Sequence, residues 1–95
     1  MMTLPEVEKV VTQVLREQFR DEFLSSDVTP EDDFDGEPVI RVLAHLKKRV
    51  DNVDELYQSV SAIRDVLITA GDSRFVFLDQ DYPGSDEEYE EEEID

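Results

Sequence analysis

The chain has 95 residues, no cysteine, and nine Lys and Arg against 26 Asp and Glu, for a formal net charge of −17. This length predicts one small domain, and the missing cysteines exclude disulfides, thiolate metal sites and thiol nucleophiles. The excess of acids disfavours nucleic acid and anionic membranes as partners, since binding to either depends on Lys and Arg, but it suits a cationic partner.

Targeting signals give little information. The first ten residues, M-M-T-L-P-E-V-E-K-V, lack the basic start and the apolar run of a secretory signal. No segment reaches the eighteen or so apolar residues that a membrane span needs. Together with the missing cysteines, this predicts a cytoplasmic protein.

The N-terminal segment has the pattern of an amphipathic helix. Thr3 and Glu6 have the spacing of a capping box, and Pro5 is tolerated in a first turn. Apolar residues then recur at three- and four-residue spacing, at Val7, Val10, Val11, Val14, Leu15, Phe19 and Phe23. We predict a helix of roughly twenty residues with one buried stripe.

A weak strand and a turn follow this helix. Ser26–Glu31 is compatible with a short edge strand around Val28, stopped by Pro30, which cannot donate to a ladder. Asp35-Gly36 is a strong turn signal, because glycine tolerates positive φ.

The segment from Val39 to Leu46 has two interpretations. As a helix it would have Pro38 in its first turn and Lys47-Lys48-Arg49 at its negative end. We favour a strand because of the preceding turn and the β-branched start. The strand places Ile40, Val42, Ala44 and Leu46 on one face and Val39, Arg41, Leu43 and His45 on the other.

A second helix is predicted between Asn52 or Asp51, as its cap, and Gly71, which suits a left-handed position after a helix end. Its apolar stripe comprises Val53, Leu56, Tyr57, Val60, Ile63, Leu67 and Ala70. Arg74–Asp79 then predicts a short buried strand, which Pro83-Gly84-Ser85 ends.

The C-terminal end is a block of like charge. From Asp79 to Asp95 there are ten acids and no bases, which leaves a net charge of −7 for the preceding residues. Such a block cannot bury enough apolar area to offset the entropy of ordering. We predict a folded domain over residues 1–82 and a disordered acidic tail over residues 83–95.

The predicted fold is α+β, in the order α-β-β-α-β, with two amphipathic helices packed on a small two- or three-stranded sheet. With both helices on one face, the other face keeps apolar residues such as Val39 and Leu43 exposed, and the edges stay unpaired. Exposed apolar surface and open edges commonly indicate a partner. A homodimer is the simplest arrangement that would cover them.

The acidic turn Glu31–Glu37 resembles the opening of a calcium loop, with Glu31, Asp33, Asp35 and Gly36 in suitable positions. The twelfth position of such a loop must supply a bidentate carboxylate, but here it is Val42. These acids are therefore weak metal candidates, and we predict no metal site and no cofactor.

Catalytic residues are not indicated either. His45 is the only histidine, and neither a nucleophile motif nor a glycine-rich phosphate loop is present. We interpret His45 as a surface or half-buried strand residue, and we expect the protein not to be an enzyme.

The segment D-F-D-G-E-P-V-I-R-V, from Asp33 to Val42, is similar to a stretch in small bacterial proteins of unknown function. In those proteins an acidic turn leads into an apolar strand. The similarity covers about a tenth of the chain and implies no function and no catalytic residues.

The combined pattern predicts a non-catalytic acidic protein-interaction domain that binds a basic protein, as an antitoxin, an immunity or inhibitor protein or a nucleic-acid mimic does. The predicted partner-binding residues are Val39, Leu43, Asp86, Glu87 and Glu88. One alternative is a small metal-binding protein or enzyme that uses the acidic turn Glu31–Glu37. Another is an accessory subunit whose tail only maintains solubility.

Overall fold

The computed structural model describes residues 1–84 and shows an α+β fold in the predicted order α-β-β-α-β. Its elements are α1 (Leu4–Phe19), a short 3₁₀ turn (Arg20–Glu22), β1 (Phe23–Asp32), β2 (Pro38–Leu46), α2 (Val53–Thr69) and β3 (Phe75–Asp81). Residues 85–95, which hold most of the predicted tail, lie outside the described part of the chain.

The start of α1 follows the predicted capping box. The Thr3 hydroxyl accepts from the Glu6 N–H, and the Glu6 carboxylate accepts the Thr3 N–H at 2.9 Å. The helix is shorter than predicted, because Arg20 adopts a left-handed φ of 52° and ends it. Phe23, predicted as the last residue of the helical stripe, is instead the first residue of β1 and reaches the core from there.

The three strands form one sheet in the order β1-β2-β3. β1 pairs antiparallel with β2 through the tight turn at Asp33–Glu37, and Gly36 adopts the positive φ that this turn signal predicts. β2 pairs parallel with β3, and α2 makes the crossover between them. The strand interpretation of residues 39–46 is thereby confirmed, and β1 is longer than the predicted Ser26–Glu31.

Both helices lie on the same face of the sheet. A single core cluster joins the inward residues of α1 and α2 to alternate residues of β2 and to one residue of β3. It contains Val7, Val11, Leu15, Phe19, Phe23, Ile40, Val42, Ala44, Leu46, Ile63, Leu67 and Val76. We call the opposite side of the sheet the outer face.

The apolar stripe of α2 is only partly buried. Ile63 and Leu67 are in the core, as predicted, whereas Val53 and Tyr57 are exposed. Ser59, which lies between Tyr57 and Ile63 in the sequence, is fully buried, and its hydroxyl donates to the Glu55 carbonyl at 3.0 Å. Because that hydroxyl is satisfied within the helix, a polar residue can occupy a core-facing position without an unpaired donor.

A buried ion pair fastens the N-terminus to the start of β3. Arg74 donates to the Asp72 carboxylate at 2.6 Å and to the Met2 carbonyl at 3.0 Å. The Asp72 carboxylate also accepts the N–H groups of Met2 and Arg74, both at 3.1 Å. Asp72 is buried, and its hydrogen bonds from Arg74 hold the pKa of this carboxyl well below its usual range.

Candidate interaction surface

The outer face is built from every second residue of each strand, since side chains alternate between the two faces of a sheet. The strand register places these residues in four rows across the sheet. The rows are Glu31–Val39–Phe75, Thr29–Arg41–Phe77, Asp27–Leu43–Asp79 and Ser25–His45–Asp81. Both helices pack on the opposite side of the sheet from these rows.

An acidic groove occupies the middle of the outer face. It has a volume of about 600 Å³, and its lining includes Asp27, Glu31, Asp79, Arg41 and Leu43. Glu31 forms an ion pair with Arg41 and Asp27 lies beside His45, so Asp79 is the one of these three acids that has no ion pair among residues 1–84. The groove therefore combines a half-exposed apolar floor with negative walls.

Aromatic side chains lie at the other end of this face. Phe75 and Phe77 are 47% and 38% exposed, and their ring centroids are 4.9 Å apart. The Arg41 guanidinium lies 5.0 Å from the Phe77 ring centroid, and that of Arg64 lies 4.9 Å from the Phe75 centroid. These cations hold the rings against the sheet by cation–π attraction and leave part of each ring exposed.

His45 links all three strands at the carboxyl end of β2. Its Nε2 lies 2.7 Å from an Asp27 oxygen and its Nδ1 lies 3.0 Å from an Asp81 oxygen. Both ring nitrogens can donate only when the imidazole is protonated. The hydrogen bonds to Asp27, first, and to Asp81 accordingly raise the pKa of His45 above its ordinary value.

This arrangement predicts a loss of stability at alkaline pH. A raised folded-state pKa means that the contribution of His45 is fully present below about pH 6.5, its unfolded value. It is lost as pH rises through the folded-state pKa. We therefore expect His45→Gln to lower the free energy of unfolding more at pH 5.5 than at pH 9, as measured by urea denaturation.

A direct titration by NMR provides the control. Asp27→Asn should move the pKa of His45 back toward its ordinary value, because it removes the acceptor at Nε2. Asp35→Asn, in the turn and away from the ring, should leave that pKa nearly unchanged. An equal shift in the two variants would show that the overall negative charge, rather than the hydrogen bond, raises the pKa.

The acids considered as weak metal candidates, Glu31, Asp33 and Asp35, do not converge on one point. Asp33 Oδ1 accepts the N–H groups of Asp35 and Glu37, each at 2.9 Å, and so closes the turn. Glu31 points onto the outer face toward Arg41. Within residues 1–84 no group of three or more His, Asp or Glu side chains is placed to hold a metal ion. Asp33 thus stabilises the turn, and Glu31 forms an ion pair on the sheet.

The predicted partner-binding residues occupy different positions. Leu43 lies on the floor of the acidic groove and is half-buried. Val39 belongs to the same face, but it is only 2% exposed, so a partner cannot contact it directly. Asp86, Glu87 and Glu88 lie outside the described residues. The exposed apolar area of this face therefore comes chiefly from Leu43, Phe75 and Phe77.

Comparison with protein-family models, with curated proteins and with solved structures finds no match to this chain. The segment Asp33–Val42 is similar to a stretch in small bacterial proteins only by prediction, and this similarity stays a prediction. Neither helix in the described chain is both long and apolar enough to cross a membrane.

Sequence reasoning missed the linkage of His45 to Asp27 and Asp81. The three residues are 18 and 36 positions apart, and only the parallel pairing of β2 with β3 brings Asp81 beside His45. One signal was present: Asp79 and Asp81 continue the alternation of Phe75 and Phe77. Their position on the outer face follows once that strand is extended to its observed end.

Proposed function

We propose that this protein is a non-catalytic acidic interaction domain that binds a cationic protein through its outer face. The acidic groove of Asp27, Glu31 and Asp79 around Leu43 is the observation that supports this proposal most directly. The partner is of the kind held by antitoxins, by immunity or inhibitor proteins and by nucleic-acid mimics. Its site of action is the cytoplasm, which suits a chain without cysteine.

The negative charge of the chain favours a cationic partner both during encounter and in the bound state. The chain carries a net charge of −17, and a field of one sign steers an oppositely charged protein toward its surface. The screening length is about 8 Å at physiological salt. Carboxylates next to the contact therefore act on the bound state, while distant ones act mainly on the rate of encounter.

The apolar side chains supply the part of the affinity that salt does not screen. Leu43 lies between Asp27 and Asp79, and the half-exposed Phe75 and Phe77 continue the surface. Aromatic residues are enriched at the centres of protein interfaces because they bury a large area with few rotatable bonds. A partner with Lys or Arg beside an apolar contact would match both parts of this surface.

Binding of a short polylysine tests the location of the charge. We expect the double variant Asp27→Asn, Asp79→Asn to bind decalysine about tenfold more weakly at low salt, as two partly exposed contacts of about 0.7 kcal/mol each would predict. The control is Glu17→Gln, Asp65→Asn, which removes the same charge from exposed positions on the two helices. Isothermal titration calorimetry would measure both.

An equal loss of decalysine affinity in the two double variants would show that decalysine does not prefer the outer face. No saturable binding of decalysine to the wild type at low salt would contradict the proposed function itself.

A homodimer through the outer face is a second arrangement, favoured by the exposure of Phe75 and Phe77. It would hide apolar area from water at about 25 cal/mol per Å², but it would also bring together two bodies of like charge. Sedimentation at low and high salt separates the two arrangements, because only a homodimer tightens in the isolated protein as salt rises.

A further inference from the structure

An apolar groove separates α2 from β3. It has a volume of about 320 Å³ and is lined by Val53, Leu56, Tyr57, Val60, Phe75, Val76, Phe77 and Leu78. Tyr57 on the helix is 68% exposed, and the two phenylalanines of the strand are also partly open to solvent. The groove therefore runs between a helix and a strand, and both sides of it are apolar.

The strand beside this groove lies at one edge of the described sheet. β3 is the last strand in the order β1-β2-β3, and among residues 1–84 no further strand pairs with Phe75–Gln80 on the side away from β2. In any strand, every second residue directs its N–H and C=O toward that side. The edge therefore presents backbone donors and acceptors next to an apolar groove.

The opposite edge of the sheet is less suited to pairing. Pro30 lies near the end of β1, opposite Ile40 of β2, and proline has no N–H to donate to a further strand. Charged residues of β1, including Asp27 and Glu31, flank it on the outer face. These are the features by which edge strands avoid unwanted pairing, and β3 lacks the proline.

Charge varies along β3 from one end to the other. The Arg64 guanidinium lies over Phe75 at the start of the strand, and its Nε is buried with no hydrogen-bond partner among the described residues. Asp79 and Asp81 lie at the other end, on the outer face. A cationic side chain next to β3 is therefore attracted to the second half of the strand and repelled from the first.

We infer that an extended segment of a cationic partner adds to the edge of β3 away from β2 as a fourth strand, with apolar side chains in the groove and Lys or Arg beside Asp79 and Asp81. This inference rests on the proposed function and specifies how the partner binds. Side chains of an added strand would alternate between the groove and the outer face. The matching segment is one in which apolar and basic residues alternate.

Charge selects this occupant over a second copy of the chain. Residues 1–84, which include Asp79 and Asp81, have 18 acids and nine bases and thus a net charge of −9, so two copies paired edge to edge would repel each other. A segment rich in Lys or Arg instead gains from the same carboxylates. The apolar side chains of such a segment can contact Tyr57 and Val60 in the groove. Unlike a second copy of the chain, the segment adds no negative charge.

The test uses an eight-residue peptide of alternating lysine and valine, blocked at both ends, and the full chain. We expect saturable binding and slowed hydrogen exchange at alternate amides of Phe75–Asp81, measured by NMR, with β1 amides unchanged. The same peptide methylated at every backbone nitrogen keeps its charge and side chains. It should bind at least tenfold more weakly, since the ladder hydrogen bonds are lost.

Two variants of α2 test the groove. Tyr57→Ala removes the aromatic side chain from the groove wall without a change of charge and should weaken binding of the lysine–valine peptide severalfold. Ile68→Ala removes an apolar side chain at another exposed position of the same helix and should leave that binding within twofold.

The outcomes separate this inference from the proposed function. If the methylated and unmethylated peptides bind equally and the β3 amides exchange as before, strand addition is wrong, while binding of cations at the outer face stands. If no lysine-containing peptide binds, both are wrong. The protein without peptide is the last case. If it sediments as a dimer and its β3 amides already exchange slowly, a second copy of the chain occupies the edge and the inference is wrong.

Discussion

Replacing Asp72 with asparagine is expected to lower the free energy of unfolding by about 3 kcal/mol, the lower end of the range for breaking a buried ion pair. The reason is the state of Arg74, whose side chain is only 10% exposed and would keep its charge without a carboxylate beside it. The two bonds that hold Met2 would weaken as well. Urea denaturation at pH 7 measures this difference.

The matched control is Asp51→Asn. Asp51 pairs with Arg49 at 3.1 Å, but its side chain is 83% exposed. Exposed pairs contribute about 0–1 kcal/mol, so this variant should be close to wild type. Similar losses for Asp72→Asn and Asp51→Asn would contradict the assigned role of the buried pair.

The effect of Asp72 should also depend on pH in one direction. Because its folded-state pKa is lowered, its contribution is present above the unfolded value of about 3.9 and is lost as pH falls toward the folded value. The wild type and Asp72→Asn should therefore differ by a constant amount from about pH 5 to pH 7. The difference should shrink below about pH 4.

Ile63→Ala is expected to have an effect of similar size, about 3 kcal/mol, because it leaves a cavity in the core cluster. Ile63 is fully buried in the core cluster, on a helix that packs against α1 and β3. Domains of this size have a total stability of about 5–14 kcal/mol. The loss would therefore be visible both as a lower midpoint in urea and as a lower melting temperature.

The same helix offers a control of the same residue type. Ile68 is 55% exposed, so Ile68→Ala removes little buried area and should cost less than about 1 kcal/mol. This pair of variants cancels the difference in helix propensity between isoleucine and alanine. If Ile68→Ala were as destabilising as Ile63→Ala, the burial of α2 described above would be wrong.

Sequence patterns predicted the elements correctly where the capping or turn residues and the apolar spacing indicate the same conformation. The capping box at Thr3 and Glu6 marked the start of α1 correctly, and Asp35-Gly36 marked the turn between β1 and β2. The alternation from Val39 to Leu46 gave the correct inward set of residues on β2. In each case the neighbouring residues alone decide the conformation.

Predictions failed where a tertiary contact decides. α1 ends at Phe19 because the chain must turn at Arg20 for Phe23 to enter the core from a strand. Periodicity alone cannot distinguish that from a longer helix. Ser59 is buried because the position of α2 on the sheet rotates its apolar stripe. Neither result follows from residue type at the position itself.

The candidate site shows the same division. The acidic character of the outer face could be predicted from composition, and Leu43 could be assigned to it from the alternation of β2. The aromatic end and the groove beside β3 required the strand order, which sets β3 at an edge next to α2. Strand order depends on how the whole chain packs, so no local pattern contains it.

The bond between Met2 and Asp72 has a consequence for how the chain is made. Its two residues are 70 positions apart, and synthesis begins at the amino terminus. α1 and the β1–β2 hairpin are therefore complete before the residues that fasten Met2 exist. Until β3 has been added, β2 is itself an edge strand, and the core lacks Val76. The packed core and the bond to Met2 can therefore be completed only after residues 72–81 have been synthesised.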